Sequence, residues 1–167
     1  MIISLLGFMG CGKSTTGKQL AKALHYEFVD LDKAIEISEG RSIKEIFAKD
    51  GEHYFRAVEK RILEIIIQSE DNIVLSLGGG TPCFKDSMRI INQRTESFYL
   101  NYPAKLLKDR LKNSKTDRPL IADLNENELL EFIEGLLGKR QRYYMQAKHS
   151  IENFNNPKKE ILAILGL

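Results

Sequence analysis

A glycine-rich stretch near the start of the chain has the residue types and spacing of a phosphate-binding loop. It reads Gly7-Phe8-Met9-Gly10-Cys11-Gly12-Lys13-Ser14-Thr15 and follows the apolar run Ile2–Leu6. Glycines allow successive backbone N–H groups to turn toward phosphate oxygens, because a Cβ there would crowd the ligand. A helix predicted from about Ser14 adds the positive end of its dipole. The stretch predicts a nucleoside triphosphate site, and the alternative is a glycine-rich turn that binds nothing.

Individual side chains of this loop have distinct expected roles. Lys13 reaches the β- and γ-phosphates as a point charge, and the Ser14 hydroxyl binds Mg²⁺. The nearby N–H dipoles and Lys13 favour a thiolate at Cys11, although the simpler interpretation is a small residue that fits the loop. The predicted ATP-binding residues of the loop are Gly10, Cys11, Gly12, Lys13, Ser14 and Thr15.

Two carboxylates, Asp30 and Asp32, end the next strand-like segment, Glu27–Asp32. In open α/β sheets the carboxyl ends of strands are the edge where ligands bind, which is the side of the phosphate loop. One carboxylate is expected to hold Mg²⁺ through water, and the other to orient or deprotonate a substrate hydroxyl. The alternative is that Asp32 caps a helix and Asp30 is a solvated turn residue. The Asn-Lys-x-Asp segment that GTPases use is missing, which favours ATP over GTP.

Further candidates are arginines and a run of glycines. Arg118 lies in the polar, aperiodic loop Asn113–Asn125, where it can close over phosphates and neutralise charge. Arg140 continues the apolar stripe of a long predicted helix, so it is expected to face a ligand or a carboxylate. Gly78–Gly80 end a buried strand, which implies that the backbone there passes close to a ligand or another segment.

Strand-like and helix-like segments alternate along the whole chain, which predicts an α/β fold. The predicted strands are Ile2–Leu6, Glu27–Asp32, Ile73–Leu77, Ser97–Leu100 and Ser150–Glu152. The predicted helices cover about Ser14–Leu24, Asp32–Ser38, Ile43–Phe47, Gly51–Ser69, Pro103–Lys112 and Glu126–Ala147, with a last helix that begins at Pro157 after an Asn156 cap.

Composition limits the possible classes of protein. With 167 residues a single domain is the default, and 25 Lys and Arg against 23 Asp and Glu give a formal charge of +2. Neither nucleic acid nor a membrane is therefore expected as a partner. The chain has two cysteines, no secretory signal pattern and no apolar run near the roughly 20 residues of a membrane span. We expect a cytoplasmic protein with reduced thiols.

Taken in order, the motifs of this chain resemble those of the shikimate kinase family, and the match covers nearly the whole length. Besides the phosphate loop they are Asp30-x-Asp32, Gly40-Arg41-Ser42-Ile43, Ile46-Phe47, Gly51-Glu52, Phe55-Arg56, Glu59, Leu77-Gly78-Gly79-Gly80 and Arg118-Pro119-Leu120. The resemblance implies a three-layer α/β/α fold of the P-loop kinase type, with a five-stranded parallel sheet in the order 2-3-1-4-5. It also implies a single kinase domain over residues 1–167, a substrate-binding segment at about 33–61 and a lid at about 113–125. We expect the protein to be a monomer.

The resemblance also assigns roles to residues. It places the shikimate carboxylate against Arg56 and Arg140, and the ring hydroxyls against Asp32 and the glycine run. The residues that it assigns to substrate are Asp32, Arg56, Gly78, Gly79, Gly80 and Arg140, and those that it assigns to catalysis are Lys13, Asp32 and Arg118. Ser14 and Asp30 are the implied metal ligands.

The nucleotide base is where the chain departs from the family pattern. Arg110 resembles the arginine near adenine, but its spacing to Arg118 is one residue longer than usual. Asn155 stands where the family often has a basic residue that contacts adenine. We still expect both Arg110 and Asn155 at the ATP site, with altered base contacts.

The implied reaction is transfer of the γ-phosphoryl group of ATP, with Mg²⁺, to the 3-hydroxyl of shikimate in aromatic amino-acid (chorismate) biosynthesis. A related small kinase that acts on gluconate or a nucleoside monophosphate would use the same phosphate loop with a different acceptor site. A catalytically silent ATP-binding module is a second alternative. Asp32 either orients the attacking hydroxyl or also deprotonates it as a general base.

Overall fold

A computed structural model of the chain describes residues 1–114, residue 118 and residues 120–167. It contains one parallel sheet of five strands in the order β2-β3-β1-β4-β5. The strands are β1 (Ile2–Leu6), β2 (Glu27–Asp30), β3 (Ile73–Ser76), β4 (Glu96–Leu100) and β5 (His149–Ile151). All five residues of central strand β1 are buried, as its mostly apolar sequence predicts for a parallel strand covered on both faces. The predicted fold class and strand order are confirmed.

Seven helices pack around this sheet in the described part of the chain. They are α1 (Lys13–Leu24), α2 (Leu31–Glu39), α3 (Ile43–Ile67), α4 (Ser87–Arg94), α5 (Ala104–Lys112), α6 (Glu126–Tyr144) and α7 (Pro157–Ile164), with a 3₁₀ turn at Thr81–Cys83. Asn156 caps α7 and Pro157 opens it, as predicted. The sequence did not predict α4, because its eight residues are mostly polar and bury only Ser87, Met88 and Ile91.

The second strand is shorter than predicted. It ends at Asp30, and Asp32 lies in the first turn of α2. Asp30 rather than Asp32 is the N-cap: its backbone is extended and its carboxylate accepts a hydrogen bond of 3.3 Å from the Lys33 N–H. The strand stops there because this cap begins the helix, which leaves both carboxylates at the strand end.

Helix α3 consists of two segments that meet at Gly51. The sequence predicts two separate helices here, and the structure joins them through Gly51 at φ 80° and ψ 178°, a left-handed conformation that favours glycine. Its N-terminus has a reciprocal capping box between Ser42 and Glu45. The change of direction allows residues on both segments to line one cavity.

The sheet and helices share one apolar core, and within the described residues no helix is long and apolar enough to cross a membrane. One close contact fixes α1 against the sheet. A Cβ on Gly17 would lie 2.5 Å from Cε2 of Phe28 and 3.4 Å from Cδ1 of Leu5. Because the distance to Phe28 is below any normal contact, glycine is needed where α1 approaches β2 and β1.

Gly17→Ala should therefore lower the free energy of unfolding by about 1 kcal/mol, because overpacking outweighs the gain in helix propensity. Gly138→Ala is the matched control, since Gly138 lies in α6 and an added Cβ there would have no other atom within 4 Å. The control should raise the free energy of unfolding by about 0.5–1 kcal/mol. Urea unfolding at equilibrium measures both, and equal stabilisation by the two substitutions would contradict the contact.

Candidate active site

Two adjoining cavities lie at the carboxyl edge of the sheet, of about 820 Å³ and about 470 Å³. The phosphate loop follows β1, the two aspartates follow β2, and the glycine run follows β3, so parallel strands bring them to one edge. Both volumes are within the range of small-ligand sites. The residues that line both cavities are Met9, Asp32, Gly78, Gly79 and Arg118. The shared wall allows two bound molecules to meet.

The larger cavity contains the phosphate loop. Gly10 and Gly12 have φ values of 81° and 90°, the left-handed region that a loop curling around an anion requires. The Lys13 ammonium donates hydrogen bonds to the carbonyl oxygens of Gly7 (2.7 Å) and Phe8 (3.1 Å). The lysine charge is thus held over the loop, at the N-terminus of α1.

Ser14 and Asp30 lie side by side in the same cavity. The Ser14 hydroxyl donates a 3.1 Å hydrogen bond to Oδ2 of Asp30. A hydroxyl and a carboxylate are the hard oxygen ligands that suit Mg²⁺. In the described part of the chain, no cluster of three or more His, Cys, Asp or Glu could hold a metal ion. This donor set fits an ion that takes its remaining ligands from phosphate and water.

Asp32 lies at the wall between the cavities. Burial, and then the charges of Asp30 and Glu59, raise the pKa of its carboxyl to about 6, although Lys13 opposes the shift. At pH 7 a group with this pKa is about nine-tenths ionised. Gly78 allows the close approach of the backbone, since a Cβ there would lie 3.1 Å from Oδ1 of Asp32. A partly buried carboxylate that titrates near neutrality is typical of functional sites.

Glu59 is a buried carboxylate that fixes Arg56 in the smaller cavity. Only 3% of Glu59 is exposed, and it accepts hydrogen bonds from Nη1 of Arg56 (2.8 Å) and from the Thr81 hydroxyl (2.7 Å). A buried charge of this kind is tolerated because both of its oxygens are paired. Glu59 was not among the predicted site residues. Its sequence signal is the three-residue spacing from Arg56 along the helix.

Arg140 also lines the smaller cavity, and its guanidinium carbon is 5.9 Å from the centre of the Phe8 ring. One turn later on α6, the Tyr144 hydroxyl donates a 2.6 Å hydrogen bond to the carbonyl oxygen of Gly79. Burial raises the pKa of Tyr144, so the phenol stays protonated as the donor. A Cβ on Gly79 would lie 3.0 Å from Nη1 of Arg140. Arg140 is half-buried and lines the cavity, and its expected contact with a ligand or a carboxylate stays a prediction.

Arg118 lines both cavities and is half-buried. Burial lowers its pKa, yet a guanidinium stays charged at any working pH. Its buried Nε has no hydrogen-bond partner among the residues that the structure describes. Such a group is suited to an anion. Four residues of the predicted lid, Lys115, Thr116, Asp117 and Pro119, lie outside the described residues, so lid closure stays a prediction.

Of the two residues expected near the nucleotide base, Arg110 lines a cavity and Asn155 does not. Arg110 lines the larger cavity and donates a 3.1 Å hydrogen bond to the carbonyl oxygen of Cys11. Asn155 is exposed and lines neither cavity; its neighbour Phe154 instead accepts a 3.3 Å hydrogen bond from Arg110 through its carbonyl oxygen. The nucleotide contact of Asn155 stays a prediction. Within the phosphate loop, the Cys11 side chain is buried, whereas Thr15 lines the cavity.

The smaller cavity has an apolar wall whose residues were not among the predicted site residues, although most of them lie in the predicted substrate-binding segment. Its members, besides the shared Met9, are Ile43, Phe47, Phe55 and Leu120. Phe47 and Leu120 are exposed, Leu120 by 71%, which distinguishes them from core residues. Phe55 is also buried in the core, and the Phe47 ring packs against it across the kink at Gly51, with ring centroids 4.7 Å apart.

Comparison with known proteins agrees with this geometry. The family model described as Shikimate kinase matches residues 9–165. A shikimate kinase of Azobacteroides pseudotrichonymphae is 45% identical over 145 residues, which cover 87% of this chain and 85% of the relative. The chain belongs to the shikimate kinase family. The predicted resemblance is therefore confirmed.

Solved structures of shikimate kinases extend the match to the whole fold. One from Bacteroides thetaiotaomicron superposes with a TM-score of 0.94 at 33% identity, covering 100% of this chain and 99% of that one. Another, from Acinetobacter baumannii in complex with shikimate, gives a TM-score of 0.84 at 33% identity, with 99% and 93% covered. This member of the shikimate kinase family therefore shares the P-loop kinase fold that the sequence predicted.

The origin of the raised Asp32 pKa can be measured directly. In protein freed of divalent cations with EDTA, the Asp32 carboxyl should titrate near pH 6, and Glu59→Gln should lower this pKa, because it removes one of the charges that disfavour ionisation. Carboxyl ¹³C NMR measures the titration, with Asp32→Asn to assign the signal. Glu134→Gln, at an exposed position on α6, is the control and should change nothing. A midpoint near pH 4 in the unmodified protein would refute the effect of burial.

Proposed function

We propose that this protein transfers the γ-phosphoryl group of ATP to the 3-hydroxyl of shikimate, giving shikimate 3-phosphate and ADP for aromatic amino-acid biosynthesis. Membership of the shikimate kinase family supports the reaction. Within the site, the wall that the two cavities share is the observation that supports the reaction. Asp32 and Arg118 line both the larger cavity, with its phosphate loop, and the smaller cavity, with its arginines. Donor and acceptor can therefore meet at these two side chains.

The larger cavity is the proposed ATP site. Backbone N–H groups of Gly10–Gly12 and the Lys13 ammonium bind the phosphates, and Thr15 lines the same wall. Ser14 and Asp30 would hold Mg²⁺, which neutralises phosphate charge when it is bound. To receive phosphate oxygens, Lys13 exchanges its hydrogen bonds to loop carbonyl oxygens for stronger ones to an anion.

The smaller cavity is the proposed shikimate site. Arg56 and Arg140 supply two guanidinium groups, which suit a planar carboxylate because they can form paired hydrogen bonds. Asp32 and the backbone of Gly78–Gly80 are polar partners for ring hydroxyls. The apolar side chains on the remaining wall match the carbon face of a six-membered ring. The site thus has a charged end, a polar end and an apolar side.

Catalysis in this arrangement depends on positioning and charge. Asp32 is mostly ionised at neutral pH, so it accepts a hydrogen bond from the attacking hydroxyl and orients its oxygen toward the phosphorus. Arg118 faces both ligands, where its charge stabilises the developing charge on the transferred group. Complete proton removal by Asp32 need not precede transfer, because a loose transition state requires little early deprotonation.

The alternative acceptors fit the smaller cavity less well. Gluconate offers a carboxylate but no ring for the apolar wall, and a nucleoside monophosphate offers a phosphate in place of the planar carboxylate. A silent ATP-binding module would need neither the paired arginines nor Asp32 at the shared wall. Location in the cytoplasm and the monomeric state stay predictions.

ADP release coupled to an indicator enzyme tests the proposal. Purified protein with ATP and Mg²⁺ should release ADP when shikimate is added, at a rate well above that with gluconate, with nucleoside monophosphates or with no acceptor. Equal or faster turnover with gluconate or a nucleoside monophosphate would reject the assignment of the acceptor. ATP binding without any acceptor-dependent release would favour the silent module.

Arg140→Ala should raise the KM for shikimate by about 10-fold to 100-fold, because it removes a charged hydrogen bond that is made to the ground-state carboxylate. The KM for ATP should change little. Arg142→Ala is the matched control: Arg142 is exposed on the same helix and donates to the hydroxyl of Tyr143. Steady-state kinetics with each substrate varied measures both variants. An unchanged KM for shikimate in the Arg140 variant would contradict the role.

A further inference from the structure

Arg110 is held on several sides by groups outside the nucleotide cavity. Its guanidinium carbon lies 4.9 Å from the centre of the Tyr102 ring, and its two terminal nitrogens donate to the carbonyl oxygens of Cys11 and Phe154. The Phe154 ring in turn meets Tyr102 edge to face, with centroids 5.2 Å apart and planes at 82°. Arg110 therefore links α5 to the phosphate loop and to the segment before α7 by hydrogen bonds, and its guanidinium packs on the ring of an aromatic pair.

The base of a nucleotide bound to the phosphate loop has to lie on the side of α5. The side toward Asp32 and Gly78–Gly79 is shared with the smaller cavity, which the acceptor needs. The remaining wall of the larger cavity is formed by Asp109, Arg110, Asn113 and Ser114. Of these, the guanidinium of Arg110 is the planar cation, and guanidinium planes stack on bases.

We propose that Tyr102 is a positioning residue for the nucleotide base, and that it acts through Arg110 with support from Phe154. An arginine side chain loses considerable rotamer entropy when it is fixed against a ligand. The contact with the Tyr102 ring fixes the guanidinium before the nucleotide arrives, so that less entropy is lost on binding. The inference rests on the proposed function only in that it assumes that a nucleotide occupies the larger cavity.

The ring of Tyr102, and not its hydroxyl, carries this role. The side chain is only 2% exposed, and its hydroxyl has no hydrogen-bond partner within the described residues. A buried hydroxyl without a partner contributes no favourable contact, whereas the face of the ring attracts the cation. Tyr102→Phe therefore retains the function, and Tyr102→Leu, which keeps an apolar side chain but removes the ring, loses it.

Titration calorimetry with ADP tests the proposal. Tyr102→Leu should weaken ADP binding by about 3-fold to 30-fold, while Tyr102→Phe keeps the affinity of the unmodified protein. Shikimate affinity, measured in the same way, should be unchanged in both variants. Phe154→Leu provides a variant outside the core, since Phe154 is 40% exposed, and it should weaken ADP binding in the same direction by a smaller factor.

A double-mutant cycle separates positioning from a general effect on packing. In an Arg110→Ala background, Tyr102→Leu and Phe154→Leu should have no further effect on ADP affinity. The proposal is overturned if Tyr102→Leu and Phe154→Leu bind ADP normally, if Tyr102→Phe loses as much affinity as Tyr102→Leu, or if the losses persist without Arg110. These outcomes leave phosphorylation of shikimate intact, whereas failure of the unmodified protein to bind ADP would overturn both proposals.

Discussion

The site depends on the absence of side chains at three successive backbone positions after β3. A Cβ on Gly78 would crowd Asp32 and Thr81, one on Gly79 would crowd Arg140, and one on Gly80 would collide with Nη2 of Arg56. The charged groups come from α2, α6 and α3, so no local sequence pattern brings them together. They converge because the backbone that follows β3 has no side chains at these positions, so each charged group can approach it closely.

The convergence brings charged groups into a partly buried site, where an unpaired charge is unfavourable. Pairing with neighbouring side chains offsets this cost. Glu59 is buried and accepts hydrogen bonds from Arg56 and Thr81, so one guanidinium is held in place by a carboxylate that cannot itself reach solvent. The same carboxylate, together with Asp30 and burial, raises the pKa of Asp32. A single buried charge therefore orients a binding cation and also adjusts the carboxylate at the shared wall. The two effects therefore have one source.

The Asp30 carboxylate has a comparable double role on the donor side. One of its oxygens caps α2 and the other accepts from the Ser14 hydroxyl at the start of α1. The bond links the helix that follows the phosphate loop to the helix that carries Asp32. One side chain thus contacts both the other proposed metal ligand and the first turn of the helix that carries the acceptor-site carboxylate. Helix capping and metal binding are therefore not exclusive alternatives at this strand end, because the residue that caps α2 is also the one beside Ser14.

Part of the fold and of the candidate site was determined by the sequence alone. Glycine spacing predicts the phosphate loop, apolar runs predict the buried strands, and Asn156-Pro157 predicts the start of α7, because each depends on local backbone conformation or on the periodicity of burial. The strand order came from the family resemblance, since periodicity carries no information about which strands are neighbours. Only the tertiary structure decided that Glu59 pairs with Arg56 and Thr81, that Phe47 and Phe55 meet across the kink at Gly51 and line a cavity, and that Tyr102 lies under Arg110. These are contacts between elements, set by how helices pack on the sheet, and residue types along the chain do not specify them.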